Sequence, residues 1–458
     1  MSITQQLADF ISTRKADLIS ADVRSRAARC LLDTLAVSVA GYCDPSVRAL
    51  EDALCPADGM RTVAMPWSPR RYREDDACLV TGMSSHILDY DDVSMLAVCH
   101  PSVPVLTALW PLLEETGASG RALLDAYVVG TEVLIRSGQA MGFRHYALGF
   151  HATATLGTLG AAAACCHMLG LDSRRTAHAL AIAASMSAGV RKNFGSMVKS
   201  LHVGLAASSG LRAARLAAAG VQGAAEPLEA GGWLRAFSGG DCDTWPDGLV
   251  LGRPFAIEAP GFEQKRYPCC YMMHKIIQAT LTLKREHGLA LEGLRAATID
   301  MCGGASAPLM HPHPKNGLHA KFSGPYAVVG SLLDGRMDLA SFRDETVLRP
   351  AVQAALGAVS LRESSQAPAQ GGDVGSAPVT VTLDYGQGGR YSATVHAMPG
   401  SAQDPLTDRD LLEKWRDCLA RGLPELGAAT VDELFRKGLA MDAQASVQQW
   451  LDELRPHS

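Results

Sequence analysis

Residues 152–166 read ATATLGTLGAAAACC, fifteen positions without a charge. A stretch of this kind is either a membrane span or a helix inside a protein core. Fifteen residues in a helix cover about 22 Å, short of the ~30 Å hydrocarbon layer of a bilayer. Alanine, glycine and threonine are also weakly hydrophobic. Small side chains do let helix backbones approach closely. Residues 153–169, and the similar Ala-, Gly- and Ser-rich stretch 201–220, are therefore expected at the centre of a tight helical bundle.

Working outward, apolar residues recur at three- and four-residue spacing through LADFISTRKADL (7–18), VRSRAARCLLDTLAVSVAG (23–41), RALLDAYVVGTEVLIRSGQAMG (121–142) and SRRTAHALAIAASMSAGV (173–190). That periodicity predicts amphipathic helices, with Gly41 expected as a C-cap. After Pro254 the texture changes. LRAATIDMC (294–302), PVTVTLDYG (378–386) and RYSATVHA (390–397) alternate β-branched residues and predict strands, while HKIIQATLTLKREHG (274–288) and PYAVVGSLLDG (325–335) predict helices. ESSQAPAQGGDVGSAP (363–378) is expected to be a loop or hinge. Residues 407–454 are again helical in pattern. The fold class is mainly α: an all-helical domain over 1–260 completed by 405–458, and a smaller α+β lid domain over 261–404.

Composition bounds the function. The chain has 458 residues, 47% hydrophobic and 19% charged, with a net charge of −5. Two globular domains are the expectation at this length, and no basic surface for nucleic acid is indicated. The 12 cysteines include no CxxC pair, and Cys165-Cys166 and Cys269-Cys270 are adjacent. They suit neither zinc nor an iron–sulfur cluster and are read as reduced thiols. With no basic-then-apolar leader at the N-terminus, a cytoplasmic protein with no membrane partner is expected.

The chemistry gathers at HILDYDDVSMLAVCHPSV (86–103), which holds Asp89, Asp91 and Asp92 within four residues, then His100 before a proline. Residues 79–88 predict a helix. If it continues, Asp89 and Asp92, three apart, share a face. His100-Pro101 is expected to open the next helix with proline at its first position. Caps and a core histidine would account for these residues. Clustered carboxylates also repel, however, so at least one should be raised in pKa or paired with a cation. Cations are at hand. NFGSMVKSLHVG (193–204) carries Lys199 and His202 on one helical face, and EQKRYPCCYMMHK (263–275) carries Lys265, Arg266 and His274 at the boundary between textures, where ligand clefts tend to lie. HPHPKNGLHAKFSGPYAVV (311–329) adds Lys321, Ser323 and Tyr326. His311 and His313, separated by proline and with no carboxylate nearby in sequence, are read as loop residues and not as metal ligands.

Four blocks together, HILDYDDV…HPSV, NFGSMVKSLHVGLAASSG, KRYPCCYMMH and HAKFSGPYAVVGSLLDG, resemble the MmgE/PrpD family, which includes 2-methylcitrate dehydratase, cis-aconitate decarboxylase and iminodisuccinate epimerase. The resemblance spans nearly the whole chain in order. It implies a helical domain with an α+β lid, a homodimer, and a cofactor- and metal-free site in the interdomain cleft. By motif, the site positions fall on Asp89, His100, His151 in GFHATATLG, Lys199, His202, Lys265 and Tyr326. Asp92, Arg266 and His274 are added from the charge pattern as substrate-binding residues. Two departures stand out. Val93 occupies the position where the decarboxylase pattern has threonine, with one more residue before His100, and PCC replaces a histidine-bearing version of its block.

The activities of that family share proton transfer at a carbon beside a carboxylate or imine. Such carbon acids are weak, so positive groups must offset the developing charge. Here Lys199, Lys265 and histidines are the available cations for a small anionic carboxylate substrate. His100 is the expected general acid/base, and Asp89 is expected to orient it or to hold a lysine. The leading expectation is a cofactor-independent lyase of the 2-methylcitrate dehydratase type. Epimerisation of the iminodisuccinate type comes second and decarboxylation third. A non-catalytic binding homologue is last, because the lysines, His100 and Tyr326 are all present.

Overall fold

The structure, a computed structural model, describes residues 1–13, 19–54, 62–229, 231–246, 248–364, 375, 377–397 and 399–455. The chain forms two compact units. Met1–Asn193, Met197–Gln264 and Thr407–Ser458 make the first, and Phe194–Ser196 with Lys265–Leu406 make the second.

Unit one is built on helices α1 (Ile3–Ser12), α2 (Ala21–Tyr42), α3 (Pro45–Ala53), α4 (Glu74–Ile87), α5 (Ser102–Leu109), α6 (Leu113–Thr116), α7 (Gly120–Ala147), α8 (Ala152–Leu169), α9 (Ser173–Met186), α10 (Met197–Ala218) and α11 (Trp233–Ser238). One correction to a purely helical unit is needed. Strands β1 (Thr62–Ala64) and β2 (Arg71–Arg73) pair antiparallel, with Tyr72 turned inward between two exposed arginines.

The opening stretch lies within α8. Every residue from Ala152 to Cys166 is buried, with α5, α7, α9 and α10 packed around it. At 18 residues α8 is long and apolar enough to cross a membrane, but 83% of it is buried inside the protein. Its apolar surface is taken up by neighbouring helices. The second small-residue helix is less central than its composition predicts: on α10, Leu205 and Leu216 are 47% and 37% exposed.

Missing side chains set how closely these helices cross. A Cβ on Gly82 of α4 would lie 2.4 Å from the Gly204 Cα of α10, and one on Gly204 would lie 2.6 Å from the Leu79 carbonyl oxygen. The two backbones are therefore in direct contact. Gly41 is likewise not the expected C-cap. It lies inside α2, which runs on to Tyr42, and a Cβ there would meet the Ser84 carbonyl oxygen of α4 at 1.9 Å.

Unit two holds a four-stranded sheet in the order β4–β3–β5–β6, formed by β3 (Ala296–Met301), β4 (Val359–Glu363), β5 (Val379–Asp384) and β6 (Arg390–Val395). β3 runs parallel to β4 and antiparallel to β5, and β5 pairs antiparallel with β6. Val379, Val381 and Leu383 point inward, while Thr380 and Thr382 pair across to Thr394 and Ser392 on the other face, at 2.8 and 3.1 Å. This is the period-two alternation of a half-buried strand. β4 has no counterpart in the sequence reading: it is an edge strand without a buried residue, ending in Arg362 and Glu363. Helices α12 (Tyr271–His287), α13 (Gly317–Ala320), α14 (Gly324–Asp334), α15 (Asp344–Val347) and α16 (Pro350–Ala355) complete the unit. Most of the expected 363–378 loop, residues 365–374 and 376, lies outside the described residues.

The chain then returns to unit one with α17 (Asp408–Gly422), α18 (Ala428–Leu439) and α19 (Val447–Asp452). On α17, Leu411, Lys414, Trp415, Cys418 and Leu419 form the buried stripe, which lies against α2.

The α4–α10 crossing yields a prediction. Glycine to alanine in a helix interior ordinarily stabilises by about 1 kcal/mol. At Gly82 the added methyl meets backbone, so Gly82→Ala is expected to destabilise by roughly 1–3 kcal/mol, as overpacking does. Thermal unfolding of the variant measures this, and an unchanged or raised midpoint contradicts the close crossing.

Candidate active site

Helix α4 ends at Ile87 with Leu88 as its C-cap, and at Asp89 the chain turns into left-handed backbone with φ 52°. That conformation costs a non-glycine residue roughly 1–3 kcal/mol, and aspartate is among the side chains that adopt it most readily. The helix therefore does not continue, and Asp89 and Asp92 do not share a helical face. Successive acids instead reach different helices. Asp89 Oδ1 lies 2.5 Å from Lys199 Nζ in the first turn of α10. Asp91 Oδ2 lies 2.8 Å from Nδ1 of His86 on α4 and 3.0 Å from Nδ1 of His100. Asp92 accepts the Ser102 N–H at 3.2 Å and the Ser102 hydroxyl, at the start of α5.

His100 is reached through a closed loop. Ser94 and Cys99 exchange backbone hydrogen bonds of 2.8 and 3.1 Å, and Val98, a β-branched residue, is held at φ 50°. The His100 N–H donates to Thr153 Oγ1 of α8 at 3.0 Å. Its side chain is 14% exposed, whereas those of His86 and Asp91 are 0% exposed. Pro101 is the N-cap of α5, so the helix starts at Ser102, one position after the expected first helical residue.

Beside His100 lies a row of imidazoles. The His86 ring meets His100 edge-on at 4.5 Å and stacks on His151 at 5.9 Å. His151 Nδ1 is 3.0 Å from His202 Nδ1, a contact that needs one proton between two ring nitrogens. Burial pushes His86 down to about 3 despite the neighbouring Asp91. Burial also lowers His151, reinforced by His86 and Lys199, and it lowers His202. These three rings are therefore neutral near pH 7. Burial alone would raise the Asp91 carboxyl, but His100 and His86 hold it well below the usual carboxylate range. An ionised carboxylate is acceptor-only, so the His86 Nδ1 that meets it at 2.8 Å carries hydrogen. His202 also lines a pocket of about 270 Å³ with Thr158, Met186, Gly189 and Leu205.

His86, Asp89 and His100 offer possible metal-ligating atoms within 4.8 Å of one another. The Lys199 ammonium already lies against Asp89 there, so a dication would have to displace a cation that the fold supplies.

The remaining sequence candidates take different places. Asp92, expected to bind substrate, accepts hydrogen bonds from Ser102 in the first turn of α5. Burial, reinforced by Asp33 and Asp91, raises its carboxyl to about 7 even though the Ser102 hydrogen bonds oppose the shift. Lys265 and Arg266 belong to unit two, Lys265 1% exposed and Arg266 half-buried. His274 is 0% exposed between the rings of Tyr267 and Tyr271. Tyr326 is also 0% exposed and donates its hydroxyl to the Ser341 carbonyl. Both side chains are packed within unit two. Lys321 donates to the Pro268 carbonyl at 2.7 Å, and Ser323 caps α14. The rings of His311 and His319 stack at 4.0 Å. The sequence reading did not assign site roles to His86 and Asp91. Nothing in their five-residue spacing marks them, because the turn that joins them begins at the backbone break of Asp89.

The raised Asp92 carboxyl has a measurable sign. The folded chain keeps that proton up to about pH 7, whereas an unfolded aspartate releases it near 3.9. Stability is therefore lost as pH rises through that window. Asn can still cap α5, so Asp92→Asn is expected to gain thermal stability over the wild type as pH goes from 5 to 8. A constant offset between the two proteins across that range contradicts the shifted carboxyl.

Comparison with known proteins places the chain in a family. The MmgE/PrpD N-terminal domain matches residues 5–245, and the MmgE/PrpD C-terminal domain matches residues 267–436. The chain is 29% identical to the cis-aconitate decarboxylase of Homo sapiens over 95% of this chain and 91% of that protein. It is 28% identical to the Mus musculus enzyme over 91% and 86%. It is 26% identical to the cis-aconitate decarboxylase-like protein oryM of Aspergillus oryzae over 98% and 96%. With both domains matched in order along its length, the chain belongs to the MmgE/PrpD family.

Proposed function

We propose that this family member is a cofactor-independent lyase acting on a small di- or tricarboxylate, with His100 moving a proton at the carbon beside a carboxylate. The observation that carries this reading is the Asp91–His100 contact of 3.0 Å beside a Lys199–Asp89 pair of 2.5 Å. Asp91 orients the imidazole and stabilises the imidazolium formed when the ring takes a proton, as the aspartate does in acyl-transfer triads. Lys199 supplies positive charge where the substrate's negative charge develops, and Asp89 holds the lysine in place. Lys265 and Arg266 are proposed as further cations for the substrate's carboxylates, on motif resemblance alone.

Decarboxylation of a cis-aconitate-like substrate is the reading that the named relatives support. In it, His100 as imidazolium delivers a proton to the carbon that loses carbon dioxide. Dehydration of the 2-methylcitrate type is the second reading, favoured by Val93. This buried residue, bridged through its backbone to Glu263, has no hydroxyl where the decarboxylase pattern has threonine. The resemblance further suggests a homodimer, which the molar mass in solution measures.

Two tests follow. Purified protein incubated in deuterium oxide with cis-aconitate, 2-methylcitrate, citrate and iminodisuccinate should turn over one of them, with deuterium at the carbon beside a carboxylate in the product of decarboxylation or epimerisation, or, through the reverse reaction, in the substrate recovered from dehydration. His100→Ala should lower that kcat by roughly a hundredfold, the scale of a lost general acid/base, with the fold intact. Full turnover with a lowered melting temperature would instead make His100 a structural residue. The second test is chelation: activity should survive dialysis against EDTA. A loss restored by one divalent ion would assign the His86, Asp89 and His100 group to a metal.

A further inference from the structure

Asp89–Asp92 is gripped from a direction that the proposed chemistry does not use. Lys414 lies on α17, in the segment that returns to unit one, and is separated from Tyr90 by 324 positions. It is 5% exposed. Its ammonium lies 2.6 Å from Asp33 Oδ1 on α2, donates to the Tyr90 carbonyl at 2.7 Å, and sits 3.9 Å from the centre of the Tyr90 ring. Tyr90 stands between Asp89, which holds Lys199, and Asp91, which faces His100.

We infer that Lys414 is a positioning residue for the active site, fixing the 90–91 peptide so that Asp89 and Asp91 point at Lys199 and His100. This inference rests on the catalytic reading of that cluster. A structural ion pair would need only Asp33. The ammonium has three donors, however, and it directs one to the turn's carbonyl while lying against the turn's only ring. The turn also starts from left-handed backbone at Asp89, a conformation that persists only when its surroundings hold it. The carbonyl of Tyr90 belongs to the peptide that sets the direction of the Asp91 side chain. Movement of that peptide shifts the carboxylate relative to both imidazoles. Misplacement of a catalytic group by about 1 Å can lower the rate by ~100-fold.

The test removes both charges at once. Lys414→Met alone strands a buried carboxylate and confuses folding with positioning, so the informative variant is Asp33→Asn/Lys414→Met. Its expected behaviour is a melting temperature close to that of the wild type, a kcat reduced at least tenfold with KM little changed, and faster amide hydrogen exchange at residues 88–93. Wild-type kcat and unchanged exchange in the folded double variant would overturn the proposal. The single variant Asp33→Asn keeps the contacts of Lys414 with Tyr90 and is expected to hold kcat within about threefold. A tenfold loss there places the effect in the ion pair and also overturns it, whether or not the double variant folds. His100→Ala, assayed alongside, separates the two levels. If it turns over fully, the catalytic reading fails, and exchange at 88–93 still decides whether Lys414 holds the turn.

Discussion

The left-handed turn at Asp89 is the constraint on which the site depends. Three carboxylates beside an apolar core would be untenable if they shared one helical face, because each ionised group without a partner costs several kcal/mol to bury. Breaking α4 at that residue sends the acids apart. Asp89 meets a lysine, Asp91 meets two imidazoles, and Asp92 meets the start of a helix. Each acid thus has its own partner, and the repulsion that remains acts on Asp92, whose carboxyl is raised by burial and then by Asp33 and Asp91. Asp92, which has hydrogen-bond donors and no cation, is the one whose carboxyl is pushed up to about 7.

Helix packing makes those partners available. The Lys199–Asp89 pair joins the end of α4 to the start of α10, and the two helices touch backbone to backbone at Gly82 and Gly204. A larger residue at either position would separate the helices and lengthen the reach that Lys199 must make. The same logic applies to α2, where Gly41 lets α4 approach from the other side. The small residues of unit one are thus part of the electrostatics: they set distances between charges that have no spacing rule of their own.

Protons are distributed as sharply as charges. Burial keeps His86, His151 and His202 neutral, while the more exposed His100 shares Asp91 with His86. A row of neutral rings behind one accessible imidazole avoids accumulating positive charge next to Lys199. The ring of His100, 3.0 Å from the ionised Asp91, is the one to which the proposed proton transfer is assigned.

By itself the sequence determined what depends on local periodicity and on motif. The alternation in residues 379–384 specified a strand with one buried face, the small-residue run of 152–166 specified a buried helix, and the Lys199 block supplied the cation that Asp89 meets. These follow from neighbours along the chain, where period and side-chain size carry the information. Only the tertiary structure decided the rest. Gly41 reads as a C-cap but is a contact point between helices. β4 exists because β3 offers it a parallel edge, despite an amphipathic pattern too weak to announce it. The roles of Asp91, His86 and Lys414 arise where one residue leaves helical backbone and where a helix more than three hundred positions away returns. Neither event has a local signature, because the energy that holds a left-handed aspartate in place comes from partners that only folding brings together.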